Sequence, residues 1–105
     1  MEIIHLTEEN FAEITEKSQS IIIDFWASWC VPCQQFSPIF EKMAEQYPQI
    51  QFAKIDVDDN KDLSIKSNIS SIPTIWAFKN GETIYKEPGA ITPEKFEKII
   101  KKLQD

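Results

Sequence analysis

The sequence has 105 residues, 42% hydrophobic and 27% charged, as expected for one globular domain spanning 1–105. Its net charge of −6 at pH 7 argues against nucleic-acid or anionic-membrane partners, because both bind basic surfaces. We expect a cytoplasmic protein, because the acidic start lacks a signal-peptide pattern and no apolar run reaches the roughly 18 residues of a membrane span.

The first part of the chain predicts a strand, a helix and a second strand. Residues 2–6 (EIIHL) form a short strand candidate. Thr7 is a candidate N-cap, with Glu8 and Glu9 in the first turn, where acids favour the helix dipole. Residues 21–27 (IIIDFWA) are apolar on both alternating faces, which is typical of a central strand covered on both sides.

The middle of the chain continues the alternation. Apolar residues recur at helical spacing over 33–47, and we expect Pro38 to kink that helix because it removes one backbone hydrogen bond. Residues 50–58 (IQFAKIDVD) predict another core strand. Residues 61–67 (KDLSIKS) predict a short helix that Asn60 caps.

The last part predicts a hairpin and a final helix. Asn80-Gly81 separates two strand candidates and suits a type I′ turn. Thr92-Pro93 opens the last helix, with proline at a favoured first position. The order βαβαβαββα predicts an α/β fold, with parallel pairing, an antiparallel strand from the hairpin, and helices on both faces of a mixed sheet.

Both cysteines lie in one Cys-x-x-Cys segment, where the central strand ends and the second helix begins. Residues three apart on a helix have Cβ atoms about 5–6 Å apart, a span that small adjustments make compatible with a disulfide. At the helix tip we expect Cys30 to face solvent and the free N–H groups of the first turn, which stabilise a thiolate. Cys30 is therefore the candidate nucleophile, and Cys33 the candidate resolving thiol.

Three other interpretations of the cysteine pair compete with redox chemistry. A structural staple is weak, because closing a four-residue loop contributes only about 2 kcal/mol. A zinc site needs four ligands as a rule, and His5 is the one remaining soft ligand, so zinc would have to be shared between chains. Two inert thiols would not explain the helix-tip position. Redox chemistry is favoured.

The segments WASWCVPC, FAKIDVD, SIPTIWAFKNGE and PGA resemble the thioredoxin family, in order and spacing, across essentially the whole chain. The resemblance implies the thioredoxin fold and dithiol–disulfide exchange at a redox-active Cys30–Cys33 disulfide. It implies no bound cofactor or metal, with electrons supplied from NADPH through a flavoprotein, thioredoxin reductase. The implied partners are this reductase and disulfide-containing target proteins, and we expect a monomer.

Two charged residues in the strands match family positions. Where this chain has Asp24, the family has a buried acid beneath the cysteines, so the resemblance implies that Asp24 acts through water as the base for Cys33. The alternative for Asp24 is a polar residue at a strand end. Lys54 matches the family's buried lysine beside that acid; the alternative is a solvated lysine on an alternating strand.

The resemblance also implies a substrate-binding surface. Ile72-Pro73 matches the family's cis-proline loop facing the cysteines, where the Ile72 backbone can pair with an extended substrate segment. Trp29, Val31 and Pro32 would line the contact surface beside the cysteines.

The resemblance helps to interpret three further residues. Gly89 matches the family's glycine near the active-site surface, where a missing side chain lets a substrate approach; the alternative is a loop residue. We expect Trp26 to pack beside the site. Trp76 stands where the family usually has an aliphatic residue, and we expect it to pack in the core or on the surface.

The chain departs from the family pattern near the cysteines. Val31 replaces the usual glycine, and its β-branched side chain restricts the backbone and crowds the sulfur. Gln34 and Gln35 remove the lysine or arginine common there, so we expect Cys30 to be less acidic than in a typical member. Ser71 replaces a glycine, and we expect it to narrow the substrate groove.

The sequence therefore predicts a protein-disulfide reductase and electron carrier. A disulfide oxidase or isomerase would run the same exchange in reverse. A redox-independent docking subunit of another enzyme is the alternative from a different functional class.

Overall fold

The computed structural model describes residues 3–104, which form a five-stranded sheet and its flanking helices. The strands are β1 (Ile4–His5), β2 (Ser20–Trp26), β3 (Gln51–Asp56), β4 (Thr74–Lys79) and β5 (Glu82–Pro88). The helices are α1 (Phe11–Lys17), α2 (Val31–Gln46), α3 (Lys61–Lys66) and α4 (Pro93–Gln104). The order of elements is the predicted one, although Glu2 of the first strand candidate lies outside the described residues. Over this range we find no helix whose length and apolar character would let it span a membrane.

The sheet is mixed, with the strand order β1-β3-β2-β4-β5. β1 and β2 both run parallel to β3, whereas β4 runs antiparallel to β2 and to β5. The parallel pairing expected for β4 from the helix alternation was wrong. α3 has only six residues and advances about 9 Å, less than half the length of a six-residue strand. The chain therefore enters β4 from the same edge of the sheet at which β3 ends.

Both faces of β2 are covered by helices, as its continuous apolar run predicts. Ile21, Ile23 and Phe25 lie in the cluster that includes side chains of α1 and α3. Ile22 lies in the opposite cluster, which includes these residues of α2 and α4: Phe36, Phe40, Met43, Ala44, Phe96, Ile99, Ile100 and Leu103.

The same alternation places two charged residues beneath α2 and α4. Side chains two apart on a strand share a face, so Asp24 shares the face of Ile22 and Lys54 that of Phe52. Ile22 and Phe52 both belong to the cluster that packs against α2 and α4. Asp24 and Lys54 are also direct neighbours in the β2–β3 register.

The first helix begins at Phe11, so the N-cap assigned to Thr7 was wrong. The Thr7 N–H donates to Oδ1 of Asn10 at 2.7 Å, and the Phe11 N–H donates to the Thr7 carbonyl at 3.0 Å. These bonds use the Thr7 backbone and the Asn10 side chain, not the Thr7 hydroxyl, so residues 7–10 form a turn and Glu8 and Glu9 precede the helix.

Asn60 stands at the N-cap position of α3, but its side chain does not cap the helix. Its Nδ2 donates to the Asp56 carbonyl at 3.0 Å, and its Oδ1 accepts the Glu8 N–H at 3.1 Å. The side chain therefore ties the turn before α1 to the end of β3.

The hairpin and the start of α4 are as predicted. Asn80 and Gly81 have φ of 52° and 83°, the positive values that a type I′ turn requires. The Lys95 N–H donates to Oγ1 of Thr92 at 3.2 Å, directly before Pro93.

Candidate active site

The two cysteines lie where the sequence placed them, at the start of α2. Cys30 and Cys33 are joined by a disulfide, with their Cα atoms 5.2 Å apart. Cys30 is the N-cap residue, with extended backbone (φ −90°, ψ 108°), and Pro32 lies in the first turn. The Cys33 N–H donates to Sγ of Cys30 at 3.3 Å. Sγ of Cys30 thus takes the place that a side-chain oxygen holds in an ordinary N-cap.

The expected solvent exposure of Cys30 was wrong for this disulfide form. Cys30 is 4% exposed, hardly more than Cys33 at 3%. The reason is that both side chains pack with Ala27, and the partly buried Ile72 packs against them. The residues on either side of Cys30 are exposed to solvent instead, Trp29 to 65% and Val31 to 58%.

The loop before β4 approaches the disulfide. The Ile72–Pro73 peptide bond is cis, as the resemblance implies. The carbonyl oxygen of Ile72 lies 3.8 Å from Sγ of Cys30. Pro73 itself is buried, and its carbonyl accepts the Gly89 N–H at 2.7 Å. Segments around residues 30, 72 and 89 are therefore brought together.

A mostly apolar groove lies beside Cys30. Its lining includes Trp29, Val57, Ile69, Ile72 and Ser71, the serine that replaces a family glycine. The exposed indole of Trp29 does not stand alone, because its Nε1–H donates to Oδ2 of Asp58 at 2.8 Å.

Asp58 was missed by the sequence reasoning. A signal was present, because β2 and β3 are parallel and their carboxyl ends meet at one edge of the sheet. Trp29 follows β2 and Asp58 follows β3, so the loops that carry them had to be neighbours.

Asp24 is a buried carboxyl without a protein partner. It is 1% exposed, and neither carboxyl oxygen accepts a hydrogen bond from any residue in the 3–104 range. Burial raises its pKa from 3.8 to about 7, while the positive charge of Lys54 acts in the opposite direction. Such a group can hold or release a proton near neutral pH.

Lys54 is not the solvated lysine of the alternative interpretation, since its side chain is only 11% exposed. Its Nζ donates to Oγ of Ser37 at 2.8 Å and lies 3.8 Å from a carboxylate oxygen of Glu41. It makes no hydrogen bond to Asp24. Ser37 and Glu41 were also missed, although their spacing of four on a helix places them on one face.

The structure also places four other residues that the sequence pointed to. Gln34 turns back so that its Nε2 donates to the Ser28 carbonyl at 2.6 Å. Trp26 packs against the cysteine cluster, as expected. Gly89 has φ of +98°, and a Cβ there would meet nothing within 4 Å. Trp76 packs among aromatic rings in the cluster on the α1 and α3 side of the sheet, which also agrees with the prediction.

Comparison with known proteins agrees with this geometry. The family model described as thioredoxin matches residues 2–102. The chain is 40% identical to thioredoxin-1 of Saccharomyces cerevisiae over 84 residues, which is 80% of this chain and 82% of that one. It is 43% identical to a thioredoxin of Coprinus comatus over 96 residues, 90% of each chain.

Solved structures show the same likeness. The oxidised form of mitochondrial thioredoxin 3 from Saccharomyces cerevisiae superposes with a TM-score of 0.88 at 35% identity, covering 96% of this chain and 95% of that one. Plasmodium falciparum thioredoxin superposes with a TM-score of 0.87 at 32% identity, covering 95% and 98%. The fold is therefore the thioredoxin fold, as the sequence predicted.

The family match and the Cys-x-x-Cys disulfide together define the chemistry. Two cysteines that pair at a helix start can cycle between dithiol and disulfide, and the match to relatives named thioredoxin covers most of the chain. The chain belongs to the thioredoxin family and is a thiol–disulfide oxidoreductase.

Proposed function

We propose that the protein is a general protein-disulfide reductase in which Cys30 is the nucleophile and Cys33 the resolving thiol. The observation that carries this assignment is the hydrogen bond from the Cys33 N–H to Sγ of Cys30 at 3.3 Å. In the reduced protein the same N–H and the helix dipole would stabilise negative charge on Cys30 and not on Cys33.

The reaction proceeds in two exchanges. The Cys30 thiolate attacks one sulfur of a target disulfide, which breaks the target S–S bond, forms a mixed disulfide and releases one target thiolate. Cys33 then loses its proton and attacks Sγ of Cys30, which breaks the mixed disulfide and releases the second thiolate. The target gains two electrons and two protons, and Cys30–Cys33 is left as the disulfide.

Asp24 is the proposed base for the second exchange. It lies on the sheet face that packs against α2, the helix that carries Cys33, and burial keeps its pKa at about 7. A carboxyl with that pKa can accept the Cys33 proton at neutral pH, through water, and return it to solvent. Lys54 supplies the positive charge that limits the increase in this pKa.

Targets would bind at the surface around the disulfide. Trp29, Val31 and Pro32 are exposed there. The Ile72 backbone next to Cys30 would pair with an extended target segment, as in β-strand addition. Gly89, whose N–H donates to the Pro73 carbonyl, would leave room for that segment.

Re-reduction is proposed to come from thioredoxin reductase, a flavoprotein that draws electrons from NADPH. The chain itself would then need no bound cofactor. We propose a monomer that works in the cytoplasm, where a single cysteine pair is more often catalytic than structural.

Reduction of insulin by the protein, with NADPH and a thioredoxin reductase, tests this function. Cys30→Ser should abolish turnover, and Cys33→Ser should accumulate a mixed disulfide with the target that dithiothreitol releases. Turnover that survives Cys30→Ser would overturn the assignment. A function that survives Cys30→Ser/Cys33→Ser would instead support the docking-subunit alternative.

A further inference from the structure

The ammonium of Lys54 binds side chains of α2 and does not bind the neighbouring Asp24 carboxyl. Lys54 is the register neighbour of Asp24 in the sheet. Its Nζ nevertheless donates to Oγ of Ser37 at 2.8 Å and lies 3.8 Å from Oε2 of Glu41. Both partners belong to α2, the helix that begins at the redox disulfide.

The two α2 residues form one polar unit with the lysine. Oγ of Ser37 donates to Oε2 of Glu41 at 3.1 Å while it accepts from Lys54. The hydroxyl is therefore fixed by both neighbours and has its proton on the Glu41 side. A hydroxyl held in this way presents its lone pairs to the ammonium, which favours the observed position of Lys54.

Aromatic side chains restrict the ammonium further. Its Nζ lies 5.8 Å from the ring centroid of Trp26 and 5.7 Å from that of Phe40. Only 11% of the Lys54 side chain is exposed, and the polar side chains that bind its ammonium among residues 3–104 are those of Ser37 and Glu41.

Other titratable groups also lie near Lys54. β1 places His5 next to Lys54 in the sheet register. A cleft that reaches Lys54 and Trp26 is lined by the following acidic residues from the α1 turn and the end of β3: Glu8, Glu9, Asp56 and Asp59. Of the carboxylates in residues 3–104, however, only that of Glu41 lies within 4.0 Å of Nζ of Lys54.

We propose that Ser37 and Glu41 are positioning residues that hold the Lys54 ammonium against α2, away from the Asp24 carboxyl, and so control how readily that carboxyl exchanges its proton. The inference rests on the proposed role of Asp24 as the base for Cys33. It assigns a task to two residues that the sequence pattern did not single out.

The direction of the effect follows from the charges. We expect an ammonium released from α2 to bind Asp24, its unpartnered register neighbour, in preference to the solvent-exposed carboxylates of Glu8, Glu9 and Asp59. An ion pair there would stabilise the carboxylate and lower the pKa of Asp24. The carboxylate would then be a weaker base for Cys33, and mixed-disulfide resolution would slow.

The experiment measures Asp24 directly, by ¹³C NMR titration of its carboxyl carbon in the oxidised protein. Ser37→Ala/Glu41→Gln should lower the pKa of Asp24 by roughly one pH unit, and Glu41→Gln alone by less. Glu45→Gln removes the same charge from an exposed site one turn further along α2 and should leave the titration unchanged. Ser37→Thr keeps the hydroxyl and should also leave it unchanged.

A second comparison separates positioning from a direct effect of the Glu41 charge. In a Lys54→Met background, Ser37→Ala/Glu41→Gln should no longer shift the Asp24 titration, because the substitutions act through the lysine. A shift of the same size in that background would overturn the proposal, and so would an unchanged titration in the wild-type background.

The kinetic readout keeps this inference apart from the proposed function. Stopped-flow resolution of a preformed mixed disulfide should slow severalfold at pH 7 in the Ser37→Ala/Glu41→Gln protein and recover in Ser37→Thr. If the Asp24 titration shifts and resolution does not slow, the role of Asp24 as base fails while the positioning of Lys54 stands. If Asp24→Asn slows resolution but the double variant shifts nothing, the positioning fails alone.

Discussion

Asp24 and Lys54 face each other across β2 and β3, yet the lysine ammonium donates its hydrogen bond to Ser37 and leaves both oxygens of the aspartate without a protein partner. A buried carboxyl beside a buried ammonium would ordinarily pair with it and stay ionised. Here the pair is kept apart by α2. The carboxyl can therefore change its charge near neutral pH, which an ion-paired aspartate could not do.

The first prediction concerns stability and pH. Asp24 has a pKa of about 7 in the folded chain against an ordinary 3.8, so the folded state binds the extra proton between these values. The contribution of Asp24 to stability is therefore greatest below about pH 4 and is lost as the pH rises to about 7, by about 4 kcal/mol.

Asp24→Asn removes that loss. Urea denaturation of the oxidised proteins should show the variant gaining stability relative to wild type between pH 4 and pH 8, by up to about 4 kcal/mol. Asp62→Asn, on the exposed first turn of α3, is the control for the loss of one negative charge from the surface. A stability difference for Asp24→Asn that does not change with pH would contradict the raised pKa.

The second prediction concerns the indole of Trp29, which Asp58 fixes in the exposed surface beside Cys30. Asp58→Ala removes the acceptor, so the ring loses its fixed orientation. We expect KM for insulin to rise about two- to fivefold, the range expected from one hydrogen bond of roughly 0.5–1 kcal/mol. The free energy of unfolding should change little, because Asp58 is exposed.

Two variants make that test specific. Asp58→Asn keeps an acceptor oxygen and should restore most of the affinity, whereas Asp59→Ala removes a neighbouring exposed carboxylate that does not contact the indole. Equal effects of the Asp58→Ala and Asp59→Ala substitutions would point to surface charge and against the indole hydrogen bond.

Much of the fold could be predicted because its signals are local or periodic. The Asn80-Gly81 turn, Pro93 at the start of α4 and the continuous apolar run of β2 each act within a few residues. The predicted direction of β4 was wrong although the short helix over 61–67 was predicted, because the alternation of strands and helices alone does not show how far that helix carries the chain along the sheet.

In the candidate site, too, the features that depend on neighbouring residues could be predicted and the contacts between distant elements could not. The Cys30–Cys33 spacing and its helix-start position are local, and the sequence placed them correctly. The contacts of Asp24, Lys54 and Ser37 join three elements, so the sequence could name the acid and the lysine through the family resemblance but could not say which group the ammonium binds. The Thr7 cap was wrong because the Asn10 side chain closes a turn over residues 7–10, and α1 begins only at Phe11.

The third prediction concerns the charge at the start of α2. Gln34 is neutral, and its side chain bonds back to the Ser28 carbonyl. Gln34→Lys places a cation within one turn of Cys30 and should increase the Cys30 thiolate fraction at pH 7 about two- to fivefold. Thiolate absorbance of the reduced protein near 240 nm measures this fraction directly. Gln46→Lys, at the far end of the helix, is the control, and an equal increase there would contradict a local effect.

The last prediction concerns Gly89, whose φ of +98° is one that L side chains rarely adopt, although a Cβ would find open space. Gly89→Ala should therefore destabilise the protein by about 1–2 kcal/mol through backbone strain alone. Its N–H bonds to the Pro73 carbonyl, so that strain falls on the loop next to Cys30.

Urea denaturation measures the loss of stability in Gly89→Ala, and Gly81→Ala, with φ of +83° in the distant hairpin turn, is the matched control. If Gly89 also leaves room for a target, only Gly89→Ala should raise KM for insulin, whereas equal KM values in the two variants would reduce its role to backbone conformation.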